Sequence, residues 1–266
     1  MTHISRISAV HFVRLTYRSL LFLTALSLYL FQFISDDFTF PSIPLPVMAA
    51  IWCVFIFEMV SRFFPSPLEG MGCEKQFARN YVPTGKEFER TPYVKRQEKA
   101  VWIIAALWLA LNGIFGALYL CKVFSKEVML LIALAYSVCD MICILFFCPF
   151  HTWIMKNKCC GTCRIYNWDY AMMFTPLVFI PGFFSWSLCA VAFLTLIQWE
   201  LVVYRHPERI YEMTNASLAC RNCQEKLCHH KKSLQRYLVT QKSNYSHLLD
   251  EQMKKLLEKK ESREVK

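Results

Sequence analysis

The chain reads as all-α: a polytopic transmembrane helical bundle, preferably of six spans, the last two forming a proline–glycine hairpin. Three observations predict this. The 266 residues are 55% hydrophobic and 15% aromatic with only seven glycines, more apolar than an ordinary soluble domain. The apolar residues fall into blocks long enough to cross a hydrocarbon layer, which takes about 20 helical residues. The lysines and arginines collect in alternate connections, as they do in segments retained in the cytoplasm.

The spans expected are about 15–35, 44–64, 99–121, 127–148, 166–181 and 183–204. The first follows Arg6, Arg14 and Arg18, a charge pattern resembling the start of a signal peptide. The apolar part is longer than a cleaved signal's, and no small-residue cleavage pattern follows it, so it reads as a retained span. It ends at "SDDFTFPSIP", an acidic, proline-bearing turn. The second closes with Glu58 and Arg62, one helical turn apart and able to pair at the interface. The basic stretch from Pro65 to Lys99 then separates it from the third, and "CKVFSKE" joins the third to the fourth.

From Trp168 to Tyr204 the apolar segment is too long for one ordinary span and short for two. Pro181-Gly182 is a turn signal within it. If the N-terminal segment, the connections after spans two and four, and the tail all lie on one side, the number of crossings is even. A hairpin satisfies that; one long kinked helix does not. A short first arm is tolerable where it is buried against other helices.

Three regions follow: a membrane domain over 1–205, a Cys/His-rich juxtamembrane segment over 206–232, and a charged amphipathic helix over 233–266. The last carries Leu234, Leu238, Tyr245, Leu249, Met253 and Leu256 at helical spacing. It would dock on the protein's own cytosolic face, pair with a second copy or a protein partner, or touch anionic lipid. The formal net charge of +10 accompanies no nucleic-acid-binding module, so it reads as a topology signal and nucleic acid is not an expected partner. The expected surroundings are the lipid bilayer, with both termini cytoplasmic.

Of the thirteen cysteines, Cys73 stands alone between spans two and three and the other twelve form two populations. Cys53, Cys121, Cys139, Cys143, Cys148 and Cys189 lie in or beside spans, where cysteine packs as a small apolar residue. Cys159, Cys160 and Cys163 form C-C-x2-C; Cys220, Cys223 and Cys228 form C-x2-C-x4-C, followed by His229 and His230. Two C-x2-C pairs with a long insertion are the layout of a four-thiolate site. The expected ligands are Cys160, Cys163, Cys220 and Cys223, with Cys159, Cys228, His229 and His230 in reserve. Structural zinc is the leading reading and an iron–sulfur cluster the alternative. A six-span hairpin puts both thiol groups at one face, so fold and site support each other. In the reducing cytosol disulfides are not expected. Were the tail extracellular, Asn215-Ala-Ser and Asn244-Tyr-Ser would be glycosylation acceptors.

Polar residues within spans are the remaining signal. A charge at mid-helix costs about 2.5–3.5 kcal/mol on insertion scales, so each one calls for a purpose. Asp140 lies deepest and Glu200 next; Asn112 is expected to bond between helices. Glu58 and Asp169 sit near interfaces, where charge is cheaper. No G-x-S-x-G, phosphate loop, H-E-x-x-H or dinucleotide fingerprint occurs. The chain therefore reads as an interaction or assembly protein rather than an enzyme. The competing readings are a small transporter or ion pathway using Asp140 and Glu200, and a membrane redox protein.

Overall fold

The computed structural model describes residues 6–34, 44–65, 73–157 and 162–222. Every regular element among them is helical: α1 (Arg6–Ile34), α2 (Leu45–Ser61), the short α3 (Cys73–Gln76), α4 (Pro92–Leu120), α5 (Lys126–Leu145), the short α6 (Asp169–Phe174) and α7 (Phe183–Arg205). Three of these, α4, α5 and α7, are long and apolar enough to cross a membrane, and α2 is a shorter apolar helix.

Local chemistry sets the helix boundaries. Thr91 caps α4, its hydroxyl accepting from Val94 N at 3.4 Å, with Pro92 at the first position, where a missing N–H costs nothing. This start lies about two turns before the expected one, so the first part of α4, with Lys95, Arg96 and Lys99, precedes its apolar stretch. The far end of α4 stops in a turn carrying Lys122 at φ 61. A π-helical turn, Phe150–Met155, follows α5 and is closed by Lys156 in the left-handed region.

Side-chain contacts fix the direction of each element. In α1 and α5, Phe12 meets Phe146 with ring centroids 6.3 Å apart, while Arg18 reaches Ser137 O at 3.3 Å; the two helices are antiparallel. Phe55 of α2 packs on Phe174 at 5.3 Å, and Glu58, one turn on, accepts from Tyr170. In α4, Gln97 donates to Met155 O at 2.8 Å, and Gly116 lies against Phe179. One end of the bundle thus gathers the first half of α1, the start of α4 and the ends of α2, α5 and α7. It carries Arg14, Arg18, Arg62, Lys95, Arg96, Lys99, Arg164 and Arg205 and is called the basic end here; Lys122 and Lys126 sit at the other.

The expected hairpin is present, with a first arm unlike an ordinary span. It comprises a 3-10 stretch (Arg164–Trp168), α6, and a second 3-10 stretch (Thr175–Phe179). Val178 O accepts from Trp186 Nε1 at 3.2 Å, Phe174 O from the Cys189 thiol at 3.3 Å, and Glu200 from Trp168 Nε1 at 2.8 Å. Partners that recede from the turn together define an antiparallel pair. A 3-10 helix rises about 2.0 Å per residue against 1.5 Å in an α-helix, so this arm extends about 29 Å. The tighter winding is how a short segment runs alongside α7 as far as Glu200. Pro176 stands in the first turn of the second 3-10 stretch, where its missing N–H is tolerated.

Beyond α7 the chain folds back on the connection between α2 and α4. Ala216 N donates to Val82 O at 2.8 Å and Thr84 N to Thr214 O at 3.1 Å, around an isolated bridge between Pro83 and Asn215. Asn215 is fully buried, its amide nitrogen donating to Lys75 O at 3.0 Å and Arg209 O at 2.8 Å. A glycan cannot be carried there in the folded chain. Tyr211 stacks on Phe88, and burial pushes its phenol pKa up. The expected C-terminal amphipathic helix, with the second sequon, falls outside the described residues.

Candidate functional site

Three arginines and three carboxylates meet at the basic end, supplied by four elements. Glu58 on α2 is the hub. One of its oxygens accepts from Tyr17 Oη at 2.7 Å and Arg14 Nε at 3.0 Å; the other accepts from Arg18 Nη2 at 2.7 Å and Tyr170 Oη at 3.1 Å. A carboxylate offers about four lone-pair sites, and all four are used. Arg18, on α1, is 0% exposed. It also donates to Asp140 Oδ2 at 3.2 Å, to Ser137 O at 3.3 Å and to Tyr17 Oη at 3.3 Å.

The third pair sits beside this network. Arg62, just past the end of α2, donates to Asp169 at 2.5 Å, and Asp169 Oδ1 also accepts from Tyr170 N at 2.9 Å. Tyr170 joins the two halves: Arg62 lies 4.5 Å from its ring centroid and Arg18 5.8 Å. Both guanidinium groups are thereby offered the ring's negative face. Counted by formal charge, the cluster is neutral, which is what a region poor in water demands of its ions. Glu58 is about 5 Å from the end of α2 and Asp140 about 8 Å from the end of α5, at 1.5 Å per residue.

Several expectations need correcting. Glu58 and Asp169, expected near interfaces, are buried within the protein. The pairing expected within α2 gives way to reach across the bundle, Glu58 to α1 and Arg62 to α6. Asp140 and Glu200 belong to different pairings. Glu200 accepts from both Arg164 Nε and Nη2 as well as from Trp168, closing the mouth of the hairpin. Asn112 donates to Trp108 O at 3.0 Å inside its own helix. Bonding between helices is done instead by Trp108 Nε1, which donates to Thr175 Oγ1 at 3.4 Å.

The cysteines divide differently from expectation. Cys189 is packed, but Cys53, Cys121 and Cys139 are exposed on the bundle surface. Of the expected ligands, Cys163 is buried at the start of the hairpin and Cys220 is exposed on the fold-back after α7. Both belong to the basic end. Cys159, Cys160, Cys223, Cys228, His229 and His230 lie outside the described residues, and among the described ones no three Cys, His, Asp or Glu side chains come together to hold a metal ion.

Arginine-to-carboxylate contacts across elements are what sequence reading missed. The available signal was numerical: Arg14, Arg18 and Arg62 at span ends match Glu58, Asp140 and Asp169 in number and level. No family model matches the chain, and it resembles no curated protein and no solved structure.

Proposed function

We propose that the protein serves an interaction or assembly role in the membrane. In this reading it crosses the bilayer six times, with the basic end in the cytoplasm. One observation carries the proposal: Glu58, Asp140, Asp169 and Glu200 each hold an arginine from a segment distant in sequence. Carboxylates committed in this way build the bundle rather than line a route for ions. The thiolate site belongs to the same proposal. Cys160, Cys163, Cys220 and Cys223 would hold structural zinc and tie the hairpin to the segment after α7. The presence of Cys163 and Cys220 at one end supports that, and the metal's binding free energy would add directly to folding.

Two measurements test it. Protein purified in detergent should contain stoichiometric zinc and no visible absorbance; iron with visible absorbance would replace zinc by a cluster and the assembly role by electron transfer. In liposomes the reconstituted protein should pass no more ion current than lipid alone. A flux abolished by Asp140→Asn would overturn the reading in favour of transport. The six crossings are tested with single-cysteine variants retaining Cys121 or Cys220, both exposed. A membrane-impermeant maleimide should reach them from opposite faces of sealed vesicles; labelling from one face would mean five.

A further inference from the structure

At the basic end, the outer face of α4 carries cations that no carboxylate answers. The inner face of its first turns is occupied. Val94 packs with Ile210 and Tyr211, Gln97 donates to Met155 O at 2.8 Å, and Tyr93 Oη donates to Asn157 Oδ1 at 3.2 Å. Lys95, Arg96 and Lys99 are exposed. Glu98, the only acidic residue of α4, accepts from Arg90 at 3.3 Å instead. None of the three cations forms an ion pair among the described residues. Exposed Lys156 joins them, since its neighbours Met155 and Asn157 are the residues that bond to Gln97 and Tyr93.

The apolar half of the same strip begins one turn on. Lys95, Lys99 and Trp102 are spaced by four and three residues, so they lie one above another on the helix. From Ala100 to Leu120 α4 is uncharged and about 30 Å long at 1.5 Å per residue, the depth of a hydrocarbon layer. Lys99 therefore stands at its boundary and Trp102 just inside. Trp102 is 72% exposed, and Trp153, in the π-helical turn, is 67% exposed. Indole rings settle at headgroup level.

We propose that Lys95, Arg96, Lys99 and Lys156 bind the headgroup of an anionic phospholipid, with Trp102 and Trp153 beside the upper part of its acyl chains. Charge complementarity selects the occupant. Four cations without a counter-charge favour a headgroup with net negative charge, whereas a zwitterionic one brings an ammonium of its own. Basic groups beside a membrane-crossing helix are suited to such lipids. The exposed indoles select a lipid over free phosphate, which has no apolar part to set against them. The site rests on α4 crossing the bilayer, as in the function proposed above, but neither on the number of crossings nor on the thiolate metal.

The test follows lipid binding to the full chain in detergent by native mass spectrometry, with added dioleoyl phosphatidylserine or dioleoyl phosphatidylcholine. Phosphatidylserine should bind about tenfold or more tightly, each basic residue near an anionic surface being worth about fivefold. Lys95→Gln, Arg96→Gln and Lys99→Gln together should bring the two lipids within about twofold of each other. Lys122→Gln with Lys126→Gln, at the other end, should leave the preference intact. All five side chains are exposed, so both variants should keep the Tm of the unaltered chain. Equal binding of the two lipids by the unaltered chain would leave the cations to an acidic protein and overturn the proposal. Equal loss in the two variants would overturn it too, as the mark of net charge alone, and so would displacement of the lipid by inorganic phosphate. Washing proteoliposomes with alkaline carbonate separates the two levels of failure. Release of the chain would overturn the crossing and the site together; retention, with the preference unchanged in the triple variant, would overturn the site alone.

Discussion

The two ends of the bundle are held by different physics. At the basic end, Arg18, Glu58, Asp140, Arg62 and Asp169 bind α1, α2, α5 and α6 through charged hydrogen bonds. At the opposite end, among the described residues, ring packing predominates, with uncharged hydrogen bonds from Trp52 Nε1 to Ser187 Oγ at 2.8 Å and from Trp186 Nε1 to Val178 O at 3.2 Å. Trp52 of α2 lies 5.9 Å from Phe183 and 6.1 Å from Phe184 between ring centroids, and the Phe179 ring presses on Gly116 of α4. Lipid tails are as apolar as leucine, so burial of apolar surface does not draw helices together in a bilayer; close packing and hydrogen bonds must. The apolar end relies mostly on shape, with a few uncharged hydrogen bonds. The basic end relies on partners, and a polar group that loses its partner there has no water to turn to. Directional bonds also set the register between helices, which apolar contacts leave looser.

The largest effect should come from breaking the network at its centre. Arg18→Met keeps the bulk of the side chain and removes the cation that Glu58 and Asp140 share. Removing one member of a buried pair costs about 3–5 kcal/mol because the other is stranded. Thermal unfolding in detergent should show a large fall in Tm. Arg18→Met with Glu58→Gln should lose less than the two single losses added together, the mark of residues in one network. A fall in Tm no greater than that of a surface substitution would mean the arginine is dispensable, and the contrast between the ends would vanish.

At the opposite end Gly116→Ala is the matching disturbance. A Cβ built there would lie 2.2 Å from Phe179 Cζ, with the neighbouring ring atoms at 2.5 and 2.8 Å. No real Cβ contact is so short, so the ring or the arm must shift. Overpacking of this kind costs about 1–3 kcal/mol. Phe179→Leu in the same chain should recover part of the loss by removing the ring edge. Recovery would sharpen the contrast, since no comparable change of shape could restore the Arg18 variant.

The features legible in the sequence were those that composition and length determine. Apolar blocks marked the helices, and Pro181-Gly182 marked the turn between α7 and the arm before it. The winding of its first arm was not legible, because five residues of a three-residue repeat look like any short apolar run. The ion pairs were hidden for another reason. Arg14 and Arg18 read equally well as a topology signal, and Glu58 and Asp169 as interfacial charges; which faces meet depends on the packing of four elements at once.

Gly182→Ala should have the smallest effect, and it separates the two glycines most cleanly. As part of a proline–glycine pair at a turn, Gly182 is the position that sequence reading would protect, whereas Gly116 is an unremarked residue in an apolar run. The backbone reverses that ranking. Gly182 has φ 166 and ψ 155, extended geometry that any residue adopts, and no atom lies within 4 Å of where its Cβ would be. Alanine at a compatible glycine position restricts the unfolded chain and stabilises by about 0.4–1 kcal/mol. The Tm should therefore hold or rise slightly, while Gly116→Ala lowers it. A loss at Gly182 equal to that at Gly116 would mean the hairpin corner depends on glycine after all, and that the apolar end is held by its turn rather than by the fit of Phe179 against α4.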